Sequence, residues 1–386
     1  MAVVETDLKT FVAERLVARN PMSRALFDRE ADRLAAACEE MAQRFLRGGR
    51  LIAFGRGASA TDAQHVAVEF VHPVIVGKRA LPALDVSAAF ERWLPAIVCD
   101  SDIVMGFCGP AGDQAIAAAL ENAHASGAQT FALPGARGHF AIEPPSNDVF
   151  VSQELIEILY HTLWETVHVF FEHRERGHDD VGASAFLYPF LGGARQDTSA
   201  VVGHVASSIR AKAIDDERLR EAVARDQADA IAAASAAVLR RIDLGATLLI
   251  FGNGGSATDA MDVAADLRAG GRPALDLTED AAILTAIAND IGVEEIFQRQ
   301  VIAYGRTGDA LLALSTSGNS GNVIAALEEA RKRDLVSVAM VGYDGGRVAS
   351  EQLADQVVIT RSQHIPRIQE AQAGAYHVLR ELVELA

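Results

Sequence analysis

Residues 251–267 read FGNGGSATDAMDVAADL and residues 54–70 read FGRGASATDAQHVAVEF, so the chain contains one pattern twice. In both copies an apolar run that is typical of a buried strand leads through a Gly/Ser turn into a helical pattern. Such a repeat in a chain of 386 residues predicts two domains of the same fold. The copies differ at two polar positions, because His65 and Glu69 of the first are Asp262 and Asp266 in the second.

The two halves also agree in the order of their other elements. In each half a periodic helical segment that ends at Gly precedes the first strand, and further strands alternate with helices after it. Strands separated by helices predict a parallel sheet with helices on both faces. We therefore expect an α/β protein with one domain over residues 1–173 and a second over residues 201–386. Residues 174–200 are rich in Gly, Ala, Ser and Asp and predict a linker.

The composition restricts the class of protein. A net charge of -17 argues against nucleic acid and anionic membranes as partners, because both require clustered Lys and Arg. The N-terminus lacks a signal-peptide pattern and no apolar stretch approaches ~20 residues, so we expect a cytoplasmic protein without membrane spans. The three cysteines lack metal-ligand spacing, which favours reduced thiols.

The repeat is incomplete in its first half. Gly55 and Gly252 are 197 residues apart, whereas Gln153 and Gln369, in the last helical pattern of each half, are 216 apart. The difference of 19 predicts a deletion in the first half. We place it after Asp85, because the second half has at this point an acidic and amide-bearing stretch that includes AIAND at 286–290.

The segment LSTSGNSGNV at 314–323 ends a predicted strand and opens a predicted helix. It places the hydroxyls of Ser315, Thr316, Ser317 and Ser320 around the N–H groups of a helix N-terminus, where a phosphate binds without any lysine. The alternative is an ordinary Ser/Thr-rich cap, although four hydroxyls exceed what a cap requires. The turn GNGGS at 252–256 lets a ligand approach the backbone, but it is a weak signal by itself.

Together, GNGGSATDAM, AIAND, LSTSGNSGNV, and RIQE followed by a His eight residues after the Gln resemble the sugar isomerase (SIS) domain of the phosphoheptose isomerase family. The resemblance implies two SIS-type domains and an aldose–ketose isomerase that acts on sedoheptulose 7-phosphate, often with zinc, in a homotetramer. It also implies a set of substrate-binding positions, which here are Asn253, Gly254, Gly255, Ser256, Asn289, Asp290, Ser315, Thr316, Ser317, Ser320 and Gln369.

The resemblance further implies a quartet of metal-binding and proton-transferring residues. In the first half the quartet is complete as His65, Glu69, Gln153 and His161. His65 and Glu69 share one helix face at i and i+4, and a set of two imidazoles, a carboxylate and an amide suits zinc or a similar divalent ion. Any single member could equally be an ordinary boundary residue.

The second quartet is Asp262, Asp266, Gln369 and His377. Because Asp is one methylene shorter than Glu, a proton-transfer group would be misplaced by about 1 Å, and we expect this quartet to be altered or degenerate. Arg56 replaces Asn253 in the first half, where it could contact a phosphate or form an ion pair.

Each half has thus kept what the other lost, as expected when two fused subunits diverge. We hypothesise a composite isomerase: the Ser/Thr loop and the glycine turn hold the phosphate, Glu69 acts as base, His161 as acid, and a metal on His65 and Gln153 polarises the carbonyl of an enediolate mechanism. A dimer of such chains would mimic a four-domain tetramer. One alternative is a non-catalytic sugar-phosphate sensor or assembly partner. A nucleotide-dependent oxidoreductase built on G-x-G-x-x-A at 252–257 is disfavoured, because it leaves the Ser/Thr loop unexplained.

Overall fold

The computed structural model describes residues 2–74, 78–175 and 198–384. It divides into two compact units: an N-terminal unit, Arg19–Glu217, and a C-terminal unit that combines Met1–Ala18 with Arg218–Ala386. The sequence predicts that the first domain ends at residue 173 and the second begins at residue 201. The structure instead divides the chain after Ala18 and after Glu217. Val12 and Leu16 are buried in the core of the C-terminal unit, and Val205 and Ile209 in the core of the N-terminal unit. Most of the predicted linker, residues 176–197, lies outside the described residues.

The N-terminal unit is built on five parallel strands in the order β2-β1-β3-β4-β5. The helices that flank this sheet alternate with the strands along the chain. The elements, in chain order after α1 (Ala2–Val17) of the other unit, are α2 (Asn20–Leu46), β1 (Leu51–Gly55), α3 (Ser59–Val71), β2 (Ala83–Asp85), α4 (Phe90–Ile97), β3 (Ile103–Phe107), α5 (Gln114–Ala125), β4 (Gln129–Leu133), β5 (Phe140–Ala141) and α6 (Val149–Glu175).

The C-terminal unit has a second parallel sheet in the order β10-β9-β8-β6-β7, which is the same order when read from β7. Its elements are the second part of α7 (Thr198–Ile242), β6 (Leu248–Gly252), α8 (Gly255–Ala269), β7 (Ala274–Asp276), α9 (Ala281–Asp290), a 3₁₀ helix (Val293–Glu295), α10 (Gln298–Tyr304), β8 (Ala310–Ser315), α11 (Gly321–Lys332), β9 (Val336–Gly342), α12 (Gly346–Ser350), β10 (Gln356–Thr360) and α13 (Ile365–Glu384). The predicted fold class, two α/β domains with parallel sheets, is confirmed.

Both faces of each sheet are covered. On β1, Leu51 and Ala53 join the core beneath α2, α3 and α6, whereas Ile52 and Phe54 join the core beneath α4 and α5. Strand residues alternate between faces, so a sheet covered on both sides requires the continuous apolar runs seen in the sequence. Within the described ranges, every helix is too short or too polar to cross a lipid bilayer.

An aromatic stack common to both units locates the deletion. Phe54 stacks on Phe90 with ring centroids 4.7 Å apart, and Phe251 stacks on Phe297 at the same distance. Phe90 begins α4 and Phe297 directly precedes α10, so these two helices occupy equivalent places. Phe90 follows β2 by five residues, whereas Phe297 follows β7 by 21, and the N-terminal unit is therefore 16 residues shorter here. The missing elements are α9 and the 3₁₀ helix.

Candidate functional site

The β6–α8 turn presents exposed backbone at the carboxyl edge of the C-terminal sheet. Gly254 has φ +58°, a left-handed conformation that favours glycine. A Cβ on Gly252 would lie only 2.3 Å from the carbonyl oxygen of Ser256, so the turn also needs glycine for its close approach to α8. Asn253 and Gly254 are exposed, while Gly255 and Ser256 are buried. The turn can therefore offer its backbone to a ligand at Asn253 and Gly254.

A reciprocal pair of amide hydrogen bonds joins this turn to the segment that follows the Ser/Thr loop. The Asn253 side chain donates to Oδ1 of Asn322 at 2.9 Å, and Asn322 donates back to Oδ1 of Asn253 at 2.9 Å. Asn322 is the second residue of α11. The structure thus brings two predicted binding segments together through a residue that the sequence analysis did not single out. The repeat offered a signal, since the N-terminal unit has Arg56 and Ala115 in place of this pair.

The Ser/Thr loop connects β8 to α11, and two of its hydroxyls accept hydrogen bonds from N–H groups of the same loop. Ser315 Oγ accepts a hydrogen bond from the N–H of Gly318, and Ser317 Oγ accepts one from the N–H of Asn319, each at 3.1 Å. Ser320 directly precedes α11 but its side chain makes no capping hydrogen bond. The first N–H groups of α11 are therefore not capped by Ser320, as expected of a helix N-terminus that receives an anion.

Three other predicted binding residues belong to segments that contact this loop or the start of α11. Asn289 and Asp290 end α9 and are exposed, and the Asn289 amide donates to Asp290 at 2.8 Å. The 3₁₀ helix that follows α9 packs on the start of α11, where Glu294 lies against Gly321. Gln369 is buried on α13, the helix from which Gln372 donates to the carbonyl oxygen of Ser315 at 3.5 Å.

Three members of the predicted N-terminal quartet, His65, Glu69 and His161, have their ligand atoms within 4.8 Å of one another. His65 and Glu69 lie on α3, and Gln153 and His161 lie on α6, which packs against α3. The Nε2 atoms of His65 and His161 are 3.4 Å apart, and Nε2 of His65 is 3.9 Å from Oε1 of Glu69. The Gln153 amide lies at the start of α3, 3.5 Å from the carbonyl oxygen of Ala58. All four side chains are buried.

Burial changes the pKa values of two members of this quartet. Glu69 is fully buried, and both of its carboxylate oxygens lack a hydrogen-bond partner among the described residues. Burial, with a smaller effect from Glu165, raises the pKa of Glu69 to about 8, and burial next to His161 holds the pKa of His65 well below its ordinary value. A neutral imidazole and a carboxyl group without partners fit the ligand requirements of a divalent cation.

The position equivalent to the phosphate loop is filled by a carboxylate in the N-terminal unit. Asp113 precedes α5 and accepts hydrogen bonds from the N–H groups of Ala115 at 2.8 Å and Ile116 at 3.0 Å. Arg56 pairs with Glu91 at 2.5 Å and lies 3.8 Å from Asp113. Of the two roles considered for Arg56, the structure shows the ion pair. An anionic ligand at this helix N-terminus would meet a carboxylate that is already bound there.

The C-terminal counterpart of the quartet has a different internal arrangement. The ligand atoms of Asp262, Asp266 and His377 lie within 4.8 Å of one another. His377 Nε2 is 3.1 Å from Oδ2 of Asp262, and the Tyr376 hydroxyl donates to the same oxygen at 3.3 Å. This cluster is therefore held together by hydrogen bonds within the protein.

Comparison with known proteins identifies relatives of this chain. The family model of the SIS domain matches residues 215–342. A phosphoheptose isomerase of Chlorobaculum parvum is 45% identical over 176 residues, which are 43% of this chain and 83% of that protein. The chain belongs to the phosphoheptose isomerase family. A second phosphoheptose isomerase, from Thermodesulfovibrio yellowstonii, is 40% identical over 186 residues, or 47% of this chain and 92% of that protein.

The resemblance to these members of the phosphoheptose isomerase family covers the C-terminal half. A solved structure extends the likeness in fold to both units: the C-terminal domain of glucosamine-fructose-6-phosphate aminotransferase from Francisella tularensis covers 97% of this chain with 95% of its own length, at a TM-score of 0.62 and 9% identity. At this identity the likeness concerns the fold alone. It agrees with the two similar sheets described above.

Proposed function

We propose that this protein is an aldose–ketose isomerase that acts on a sugar phosphate, with sedoheptulose 7-phosphate as the substrate. The observation that carries the proposal is the loop at 315–320, in which hydroxyls surround a helix N-terminus that Ser320 leaves uncapped, next to the glycine turn. Membership of the phosphoheptose isomerase family supports the same substrate class. In the proposal, Ser315, Thr316, Ser317 and Ser320 hold the phosphate, while Asn253, Asn289, Asp290 and Gln369 contact the sugar.

For the chemistry we assign proton transfer to Glu69 and His161. Glu69 would accept the proton from carbon 1 of the ketose and return it to carbon 2, while His161 would protonate the oxygen on carbon 2 and receive the hydroxyl proton from carbon 1. In the metal-free protein, burial raises the pKa of Glu69 to about 8. His65, Glu69, Gln153 and His161 would hold a divalent cation, which would polarise the substrate carbonyl when bound.

The replacement of His and Glu by Asp262 and Asp266 in the phosphate-binding unit supports a second candidate function. Without a complete quartet in that unit, the protein could bind the sugar phosphate as a sensor and leave it unchanged. The two candidates differ in turnover and agree on binding, so an experiment must measure both.

The test is incubation with sedoheptulose 7-phosphate, with zinc or with a chelator, followed by NMR of the ketose and aldose signals. The isomerase predicts metal-dependent conversion that Glu69→Gln abolishes without weakening substrate binding, and that the matched exchange Asp266→Asn leaves in place. Ser317→Ala should weaken binding. Saturable binding without conversion would select the sensor, and absence of binding would reject both.

A further inference from the structure

The two units carry equivalent clusters with different chemistry. His65, on α3, has Asp262 as its counterpart on α8, and the Tyr160–His161 pair on α6 has Tyr376–His377 as its counterpart on α13. The tyrosine and the second histidine are thus common to both units. Only the α3 and α8 positions differ, which allows a direct comparison of a His-based and an Asp-based cluster in one chain.

In the N-terminal cluster, two nitrogen atoms face each other. Nε2 of His65 and Nε2 of His161 are 3.4 Å apart, and at most one proton can lie between them, so at least one nitrogen presents a lone pair. Glu69 adds a buried carboxyl group without hydrogen bonds among the residues that the structure describes. One cation would satisfy the lone pairs of all three residues, and their ligand atoms lie within 4.8 Å of one another.

In the C-terminal cluster, the ligand atoms of Asp262 and His377 are hydrogen-bonded to each other. Oδ2 of Asp262 lies 3.1 Å from Nε2 of His377 and accepts a hydrogen bond from the Tyr376 hydroxyl. With Oδ2 of Asp262 as the acceptor, Nε2 of His377 carries the proton of this hydrogen bond. A protonated Nε2 has no lone pair for a metal, and a cation could bind there only after this hydrogen bond was broken.

We infer that Asp262, Tyr376 and His377 form a hydrogen-bonded triad in the place of a second metal site, so that the chain binds one divalent cation and not two. In this triad Asp262 is a positioning residue, which fixes the Nε2-protonated tautomer of His377 in the way that a carboxylate orients a histidine general acid or base. The count of one cation rests on the proposed function of the N-terminal quartet, whereas the triad stands on its own contacts.

The first test is the zinc content of the purified protein after equilibration with zinc and removal of the unbound metal. We expect one zinc per chain in the wild type, none after His161→Gln, and one after His377→Gln or Asp262→Asn. Two zinc ions per chain, with one lost in Asp262→Asn, would overturn the inference. A wild type without zinc would overturn the metal site in the proposed function, and the second test would then decide on the triad alone.

The second test is NMR of protein labelled with ¹⁵N at histidine, with the His377 signal assigned through His377→Gln. We expect a neutral imidazole protonated at Nε2 whose shifts do not change when zinc is added. In Asp262→Asn, we expect the tautomer ratio of His377 to move toward the Nδ1-protonated form, a change that a merely structural Asp262 would not cause. A zinc-dependent shift of His377, or an unchanged tautomer in Asp262→Asn, would refute the triad.

Discussion

Replacing the buried carboxyl group of Glu69 by an amide should stabilise the metal-free protein at neutral pH. Burial raises the pKa of Glu69 to about 8 from an ordinary value of 4.5. Between these values the unfolded chain releases the proton, whereas the folded chain keeps it, so the free energy of unfolding falls as the pH rises. Glu69→Gln removes this dependence and keeps the shape of the side chain.

The size of the effect follows from the two pKa values. Each tenfold difference in proton affinity corresponds to about 1.4 kcal/mol, so the carboxyl group costs about 3 kcal/mol at pH 7 and about 5 kcal/mol at pH 8 or above, as upper limits. The difference in free energy of unfolding between Glu69→Gln and the wild type should therefore grow by up to about 1.4 kcal/mol for each pH step of one between about pH 5 and pH 8.

The chain offers a convenient probe for this measurement. Its two tryptophans, Trp93 and Trp164, both belong to the N-terminal unit, and Trp164 is fully buried. Tryptophan fluorescence during urea unfolding in chelator therefore follows the unit that contains Glu69. The matched control is Asp266→Asn, the same chemical change at the equivalent position of the other unit, which should leave this transition unchanged at every pH.

A difference in free energy of unfolding between Glu69→Gln and the wild type that stays constant across this pH range would refute the reasoning. Glu69 would then have the same pKa in the folded and the unfolded chain. Zinc should reverse the order of stability. It should stabilise the wild type by mass action and the variant much less, since the amide is a weaker ligand than the carboxylate. Equal stabilisation of both proteins by zinc would show that Glu69 is not a ligand of the metal.

Four further outcomes are expected. Ser317→Ala should weaken sugar-phosphate binding by about 10-fold or more in calorimetry, as expected for a lost hydrogen bond to a charged group; unchanged affinity would reject the phosphate site. Asn253→Ala should cost the C-terminal unit about 1–3 kcal/mol, with less than additive loss in the double variant with Asn322→Ala, as measured by circular dichroism. Asp113→Ala should cost the N-terminal unit about 1 kcal/mol in the tryptophan-monitored transition, because it removes a helix cap. Finally, the pair Asp262→His and Asp266→Glu should raise the zinc content from one to two per chain, and a content that stays at one would contradict the role given to Asp262.

The repeat made two domains with parallel sheets predictable, because local periodicity and turn residues determine the elements. The apolar runs at β1 and β6, each followed by a glycine turn and a helix, required buried parallel strands in both halves. The family resemblance implied that His65 and His161 belong to one quartet on two helices, and the structure brings them together at 3.4 Å.

Contacts between distant segments could not be predicted in this way. Nothing in the pattern of α1 shows that Val12 and Leu16 join the core of the C-terminal unit, since an apolar helix face does not identify its partner. Asn322 likewise has no local signature, because its role depends on a reciprocal hydrogen bond to a residue 69 positions earlier. The role of Arg56 could not be decided from the sequence, because it depends on Glu91 and Asp113, which only the structure places beside it.

Asp113 and Glu69, two carboxyl groups of the N-terminal unit at positions where the two units differ, have opposite effects on its stability. Asp113 stands before α5 where the other unit has Ser320 before α11. It accepts hydrogen bonds from the N–H groups of Ala115 and Ile116, and this helix cap stabilises the N-terminal unit. Glu69 does the reverse, because a fully buried carboxyl group without hydrogen bonds among the described residues lowers the stability of the unit near neutral pH, and one exchange to Gln would remove that cost. A side chain that costs stability and contributes no hydrogen bond to the fold is best explained by a task outside the fold.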